Sequence, residues 1–164
     1  MENKKIEIVK DLPNKKILVT RIFNAPTDTV WKAWTDSRIL DQWWAPKPWK
    51  AETKSMDFSV GGHWLYAMVS PEGAKHWSRI DYREINAPKS FAVDNYFCDE
   101  SGAKNEGMPT MLWQNDFNAI EGGTKVVVHI SFDKEADMKT IVDMGFEGGF
   151  TMGLNNLEEY LAMQ

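Results

Sequence analysis

From Trp49 to Phe132 the chain reads as strand after strand joined by short turns, and one long amphipathic segment follows. No other feature restricts the fold so much. Consecutive strands with short connections pair antiparallel, and the sheet they form needs its apolar face covered. Residues 50–58 form the first strand of the run, and Val60-Gly61-Gly62 turns it. His63–Val69 alternates, with Trp64, Tyr66 and Met68 on one face. Ser70-Pro71-Glu72-Gly73 is a turn, and Asn86-Ala87-Pro88 separates Trp77–Ile85 from Ser90–Phe97. After a polar loop from Asp99 to Gly107, Thr110–Ile120 and Thr124–Phe132 form a hairpin across Glu121-Gly122-Gly123.

Before this run, Lys16–Phe23 is a strand by β-branched content. Pro26, Thr27 and Asp28 favour a helix start, and Val30, Trp31 and Trp34 give it an apolar face. Thr35 and Asp36 restart the pattern as caps of a second short helix carrying Ile39, Leu40, Trp43 and Trp44. Ala45-Pro46 ends it, because the residue before proline avoids the α region. After the run, Ala136–Met144 and Glu147–Met163 are helical, and Phe150, Leu154, Leu157 and Leu161 fall on one face of the second. Gly145, Gly148, Gly149 and Gly153 mark either a break between these helices or a close backbone approach. Residues 1–16 read as a polar leader or a weak edge element, and 17–164 as a single α+β domain in the order β-α-α, six strands, helix.

Composition narrows the function. Net charge is −5 with no basic stripe, which argues against nucleic acid as a partner. No apolar run has the roughly 18–20 residues of a membrane span, and no apolar h-region marks the start. Cys98 is the only cysteine, so a reducing cytosol is the expected compartment. Eight Trp and nine Met supply rigid walls and adaptable filling.

The ordered segments resemble the START-like, helix-grip superfamily (SRPBCC), in the branch similar to the C-terminal domain of the activator of the heat-shock-chaperone ATPase. The resemblance rests on Phe23-Asn24-Ala25-Pro26, Val30-Trp31-Lys32-Ala33-Trp34-Thr35-Asp36 and Trp43-Trp44-Ala45-Pro46. It continues through Asp57-Phe58-Ser59-Val60-Gly61-Gly62-His63-Trp64, Tyr82-Arg83-Glu84-Ile85-Asn86-Ala87-Pro88, Glu121-Gly122-Gly123-Thr124-Lys125-Val126 and Gly149-Phe150. Ser59-Val60, Ile80, Ile130 and Phe150 depart from residues the family often has there, which touches ligand preference and not the fold. The resemblance implies a curved antiparallel sheet wrapped round the long C-terminal helix, with an internal cavity between them. Members mostly bind small hydrophobic molecules there. Some are polyketide-cyclase-like or dehydratase enzymes, and one branch stimulates a chaperone, so the fold alone does not fix function.

Strand parity assigns the inward side chains, provided no bulge intervenes. Trp64, Tyr66, Met68 and Tyr82 come from the first half of the sheet. Phe91, Asn95, Met111, Trp113, Asn115 and Phe117 come from the second. Phe146, Phe150 and Leu154 come from the helix, and Trp44 is placed at the cavity mouth, with Trp43 or Trp44 anchoring the corner. These walls are apolar with a few polar tips, the pattern of a small-molecule pocket. The opposing possibility is a core filled by its own side chains.

Catalytic signals are thin. Glu84 either orients a ligand or pairs with Arg79 or Arg83, and Asp94 has outward parity. His63 and His129 alternate away from the cavity, His76 follows a turn, and none has metal-ligand spacing. Cys98 has no nearby histidine, and neither glycine pair precedes the Lys-Ser/Thr of a phosphate loop. The expectation is therefore a carrier or sequestering protein for a small hydrophobic molecule, with no cofactor, metal or catalytic residue assigned. A chaperone-interacting module and a cofactorless cyclase or dehydratase are the alternatives. Ligand identity and oligomeric state are not legible in the residues.

Overall fold

A computed structural model describes residues 6–164. Its strands are β1 (Ile6–Asp11), β2 (Lys16–Phe23), β3 (Lys50–Met56), β4 (His63–Val69), β5 (Lys75–Asn86), β6 (Ser90–Phe97), β7 (Met111–Ile120) and β8 (Gly123–Ser131). Its helices are α1 (Thr27–Thr35), α2 (Ser37–Trp43), α3 (Glu135–Asp143) and α4 (Phe146–Ala162). All strands form one antiparallel sheet in the order β1-β2-β8-β7-β6-β5-β4-β3. The curved sheet and the long last helix are as the sequence predicts. Within the span read as a polar leader, Ile6–Asp11 pairs with β2 as the edge strand, and residues 1–5 lie outside the described residues. None of the described helices is long and apolar enough to cross a membrane.

The strand order explains the two short helices. β2 and β3 are joined by α1 and α2, yet they lie near opposite edges of the sheet. The connection must therefore cross the concave face, and its apolar side becomes core. Trp31 of α1 meets Phe91 and Phe117 edge-on, with centroids 5.6 and 5.1 Å away. Trp34 meets Phe117 at 5.7 Å. Asp36 caps α2 by accepting from the Arg38 N–H at 2.9 Å, as its side chain favours.

Of the inward set expected from strand parity, Trp64, Tyr66, Tyr82, Phe91, Asn95, Met111, Trp113, Asn115 and Phe117 are buried and Met68 is partly buried; Ile80, Val93, Val126, Val128 and Ile130 share their faces and are buried with them. Two bulges break the assumption of regular strands, one between Thr53 and Ser55 and one between Tyr82 and Glu84. The second flips the faces beyond Tyr82: Glu84 turns outward opposite Ala92, and Ile85 turns in opposite Phe91 and packs on the core. It also changes the charges. Glu84 does not pair with Arg79 or Arg83: Arg79 bonds Asp81 at 2.7 Å and Arg83 bonds Asp94 at 3.4 Å. Across the register Arg83 and Asp94 lie on adjacent strands, while Glu84 faces Ala92 and is exposed.

One inward residue of β2 is a cation. Arg21 is 3% exposed, donates to Asn155 Oδ1 at 3.0 Å and to Glu158 of α4, and lies over the Phe23 ring. Its charge is thus compensated on the helix that the sheet grips.

The glycines resolve into two roles. Gly145, at φ +90°, separates α3 from α4 in a conformation that costs other residues strain. Gly153 allows α4 to touch the end of α2: a Cβ there would lie 3.1 Å from the Trp44 carbonyl oxygen. One turn on, Asn156 Nδ2 donates to the Ala45 carbonyl at 2.9 Å and the Trp43 carbonyl at 3.4 Å. These are carbonyls at a helix end, which have no partner within their own helix. Asn156→Ala leaves them buried and unbonded, and should lower the unfolding free energy by about 1–3 kcal/mol. Urea unfolding should show this as a lower midpoint at unchanged slope. A midpoint equal to wild type would show that the contact does not hold the corner.

Candidate small-molecule site

The concavity is divided. α1 and α2 fill one end with Trp31, Trp34 and Leu40, and the other end holds a cavity of about 210 Å³. Its sheet wall is Tyr66 and Met68 of β4, Ser78 of β5, Asn95 and Phe97 of β6, and Met111 and Trp113 of β7. Its helix wall is Trp44 and Pro46 after α2, and Phe146, Gly149 and Phe150 of α4.

Of the residues predicted from sequence, Tyr66, Met68, Asn95, Met111, Trp113, Phe146 and Phe150 come together here, with Trp44 beside them. Trp64, Tyr82, Phe91 and Asn115 do not reach this cavity; with Trp113 they border a second chamber of about 10 Å³ beneath α1 and α2. Phe117 and Leu154 line neither, being packed in the solid core. For the five sheet residues the reason is the same: the short helices occupy the space these side chains face. Ser78 and Phe97 were missed, although both share inward parity with residues that were chosen. Pro46 and Gly149 carried no parity signal, because they belong to a corner and a helix.

The two tryptophans of the corner divide the work. Trp43 is 1% exposed and its indole N–H donates to the Ala33 carbonyl at 2.9 Å, tying α2 to α1. Trp44 stands on the cavity wall and donates to the Tyr66 hydroxyl at 2.9 Å. A third link holds the corner to the sheet: Trp64 Nε1 donates to Thr53 Oγ1 at 2.9 Å, which donates to Asp41 at 2.6 Å. Burial raises the Asp41 carboxyl above its ordinary range, against the pull of Thr53.

The polar tips are few and neutral. Burial pushes the Tyr66 hydroxyl up to about 12, outweighing the hydrogen bonds from Trp44 and Ser78. Burial also raises Tyr82, with the nearby Tyr66 adding to it. Asn95 is 6% exposed, and its amide has no hydrogen-bond partner among the described residues. In the smaller chamber the indole N–H groups of Trp34 and Trp113 and the Oδ1 of Asn115 are buried without partners. That void is about the size of one water.

The other candidates lie elsewhere. His63 meets Ser55 at 2.9 Å and His129 meets Asp116 at 3.3 Å, both away from the cavity, while His76 is exposed beside Trp49. No group of three metal-ligating side chains forms among the described residues. Cys98 is partly buried, and burial raises its thiol, which favours the unreactive form.

A family model described as Activator of Hsp90 ATPase homolog 1-like protein matches residues 24–162. Among solved structures, a protein of Arthrobacter aurescens is similar at 27% identity and a TM-score of 0.91, over 98% of this chain and 94% of that one. A protein of Mycobacterium smegmatis is similar at 25% and 0.88, over 95% and 96%. One of Staphylococcus epidermidis is similar at 29% and 0.83, over 95% and 93%. No curated protein matches.

The raised tyrosines set a pH dependence. An unfolded tyrosine loses its proton near pH 10, while folded Tyr66 keeps it to about 12. The stabilisation is fully present below pH 10 and is lost as pH rises through about 12. Urea unfolding at stepped pH should show stability falling across that window, with a shallower fall in Tyr66→Phe. A stability curve identical in the two proteins would contradict the burial of this hydroxyl.

Proposed function

From a chain that belongs to the Activator of Hsp90 ATPase homolog 1-like family, with the helix-grip fold, we propose a protein that binds a small, neutral, largely apolar molecule in the 210 Å³ cavity. The observation that carries this reading is the cavity's lining. Seven aromatic or methionine side chains and a proline surround three neutral polar tips, the arrangement of sites that hold an apolar body and orient it by a few hydrogen bonds. A cavity of roughly 150 Å³ accepts benzene, and drug-sized pockets begin near 300 Å³. The occupant is therefore of one-ring or small two-ring size.

The same lining favours binding over acid–base turnover. Its only titratable side chain is Tyr66, and burial moves that hydroxyl away from neutral pH, the wrong direction for a general base. The lone Cys98 fits a role in the cytosol. The family match also supports a second reading, a module that docks on a chaperone and stimulates its ATPase. ATP turnover by the cognate chaperone, unchanged at saturating amounts of this protein, would reject that second reading.

Native mass spectrometry of freshly purified protein should show a co-purified small molecule, and a matching apolar compound should raise the melting temperature. Gly149→Leu provides the control. A Cβ at this position meets only Pro46, at 3.9 Å, so a longer side chain enters the cavity. Replacing a helical glycine also favours the folded state by up to about 1 kcal/mol. The variant should therefore keep or gain stability while losing the ligand-induced shift. Equal shifts in both proteins would place the binding elsewhere.

A further inference from the structure

On the cavity's sheet wall, Asn95 has an amide with neither end bonded. The cross-strand neighbours of Asn95 are Ile80 and Met111, neither of which has a polar atom able to pair with an amide well. Of the other polar tips on that wall, the Tyr66 oxygen accepts from Trp44 and bonds Ser78, while the Trp113 indole N–H, also unbonded, is sealed from the cavity's open space. Asn95 is left more than nine-tenths buried, lining the cavity, with both an NH₂ donor and a carbonyl acceptor unused.

Its geometry sets the chemistry of a complement. A primary amide presents donor and acceptor side by side, and it is met in full by a group presenting acceptor and donor side by side. A carboxamide or a lactam does this. A carboxylate offers acceptors only, and would bring a charge into a wall that holds no cation. An ammonium offers donors only and meets the same obstacle. Beyond the amide, the Phe146, Phe150, Met68 and Met111 side chains leave room for an apolar ring.

We propose that the molecule bound in this cavity is a small neutral carboxamide or lactam on an apolar ring, whose amide edge pairs with Asn95. The proposal rests on the reading of the cavity as a small-molecule site. Benzamide, ethylbenzene and benzoate serve as probes of nearly equal size, titrated calorimetrically into wild type, Asn95→Leu and Asn95→Ala. Ethylbenzene should bind all three proteins, since it asks nothing of the amide. Benzamide should lose about tenfold or more in affinity relative to ethylbenzene in either variant, the cost of a lost hydrogen-bond pair. Benzoate should bind wild type at least about tenfold more weakly than benzamide, because its charge is not compensated.

The outcomes separate the two claims. Ethylbenzene binding with no change in the benzamide-to-ethylbenzene ratio on substitution would overturn the role of Asn95 and leave the cavity reading standing. Benzoate matching benzamide would do the same. Failure of every probe to bind wild type would overturn both. Should Asn95→Leu not fold, the alanine variant carries the comparison, since it removes the amide without adding volume.

Discussion

The cavity depends on how helix α4 holds the tryptophan corner. Trp43, Trp44 and Ala45 end a seven-residue helix, and their carbonyls have no partners of their own. α4 meets them with Asn156, which donates to two, and with Gly153, which lets the helices approach to backbone contact. Trp44 is thereby fixed with its indole N–H on the Tyr66 hydroxyl. Helix, corner and sheet become a closed circuit: α4 to Ala45, Trp44 to Tyr66, and β4 back through the sheet to Arg21 and its partners on α4. Loosening any one of these would move a wall of the cavity.

The same circuit explains where the empty space lies. The α1–α2 connection has to cross the concave face because β2 and β3 lie near opposite edges of the sheet. Its tryptophans fill the half of the concavity they cross, pressing on Phe91 and Phe117. The half beyond Trp44 is covered only by Pro46, the first turns of α4 and a glycine at 149. Close packing is the rule in protein interiors. Here it is satisfied on one side of Trp44 and not on the other.

Much of this was legible in the sequence, and the limits have physical causes. Alternation in β4 to β8 gave the inward faces, since period-two side chains follow from the pleat itself. The bulge at Tyr82–Glu84 spares the residues assigned to the cavity because all of those on β5 precede it, but beyond it Glu84 turns out and Ile85 turns in, against their parity. Yet burial is not the same as lining a cavity. Trp64, Tyr82, Phe91 and Asn115 point inward as expected, but whether they meet space or a tryptophan is decided by the docking of α1 and α2, which parity does not encode. The pairing of Arg83 with Asp94 was hidden for a similar reason: it depends on the register between β5 and β6, shifted by the bulge. Asn156 and Gly153 were visible only as a polar residue and a costly glycine on an apolar helix face. Their partners are backbone carbonyls, which no side-chain pattern announces.

Stability alone does not account for Asn95. Its amide atoms, unlike Asn115 Oδ1, are not sealed from the cavity, so they face open space without being spent on the fold. A leucine between Ile80 and Met111 would fill more of the cavity with apolar volume. Asn156 shows the opposite case, an amide whose donors are spent on the fold. Asn115 is intermediate: one end bonds the Phe91 carbonyl, and the other faces a void of one water's size. The three asparagines thus grade from structural to unspent. Only the unspent one lines the space large enough for a ring, and a neutral cavity has only such dipoles with which to tell one apolar molecule from another.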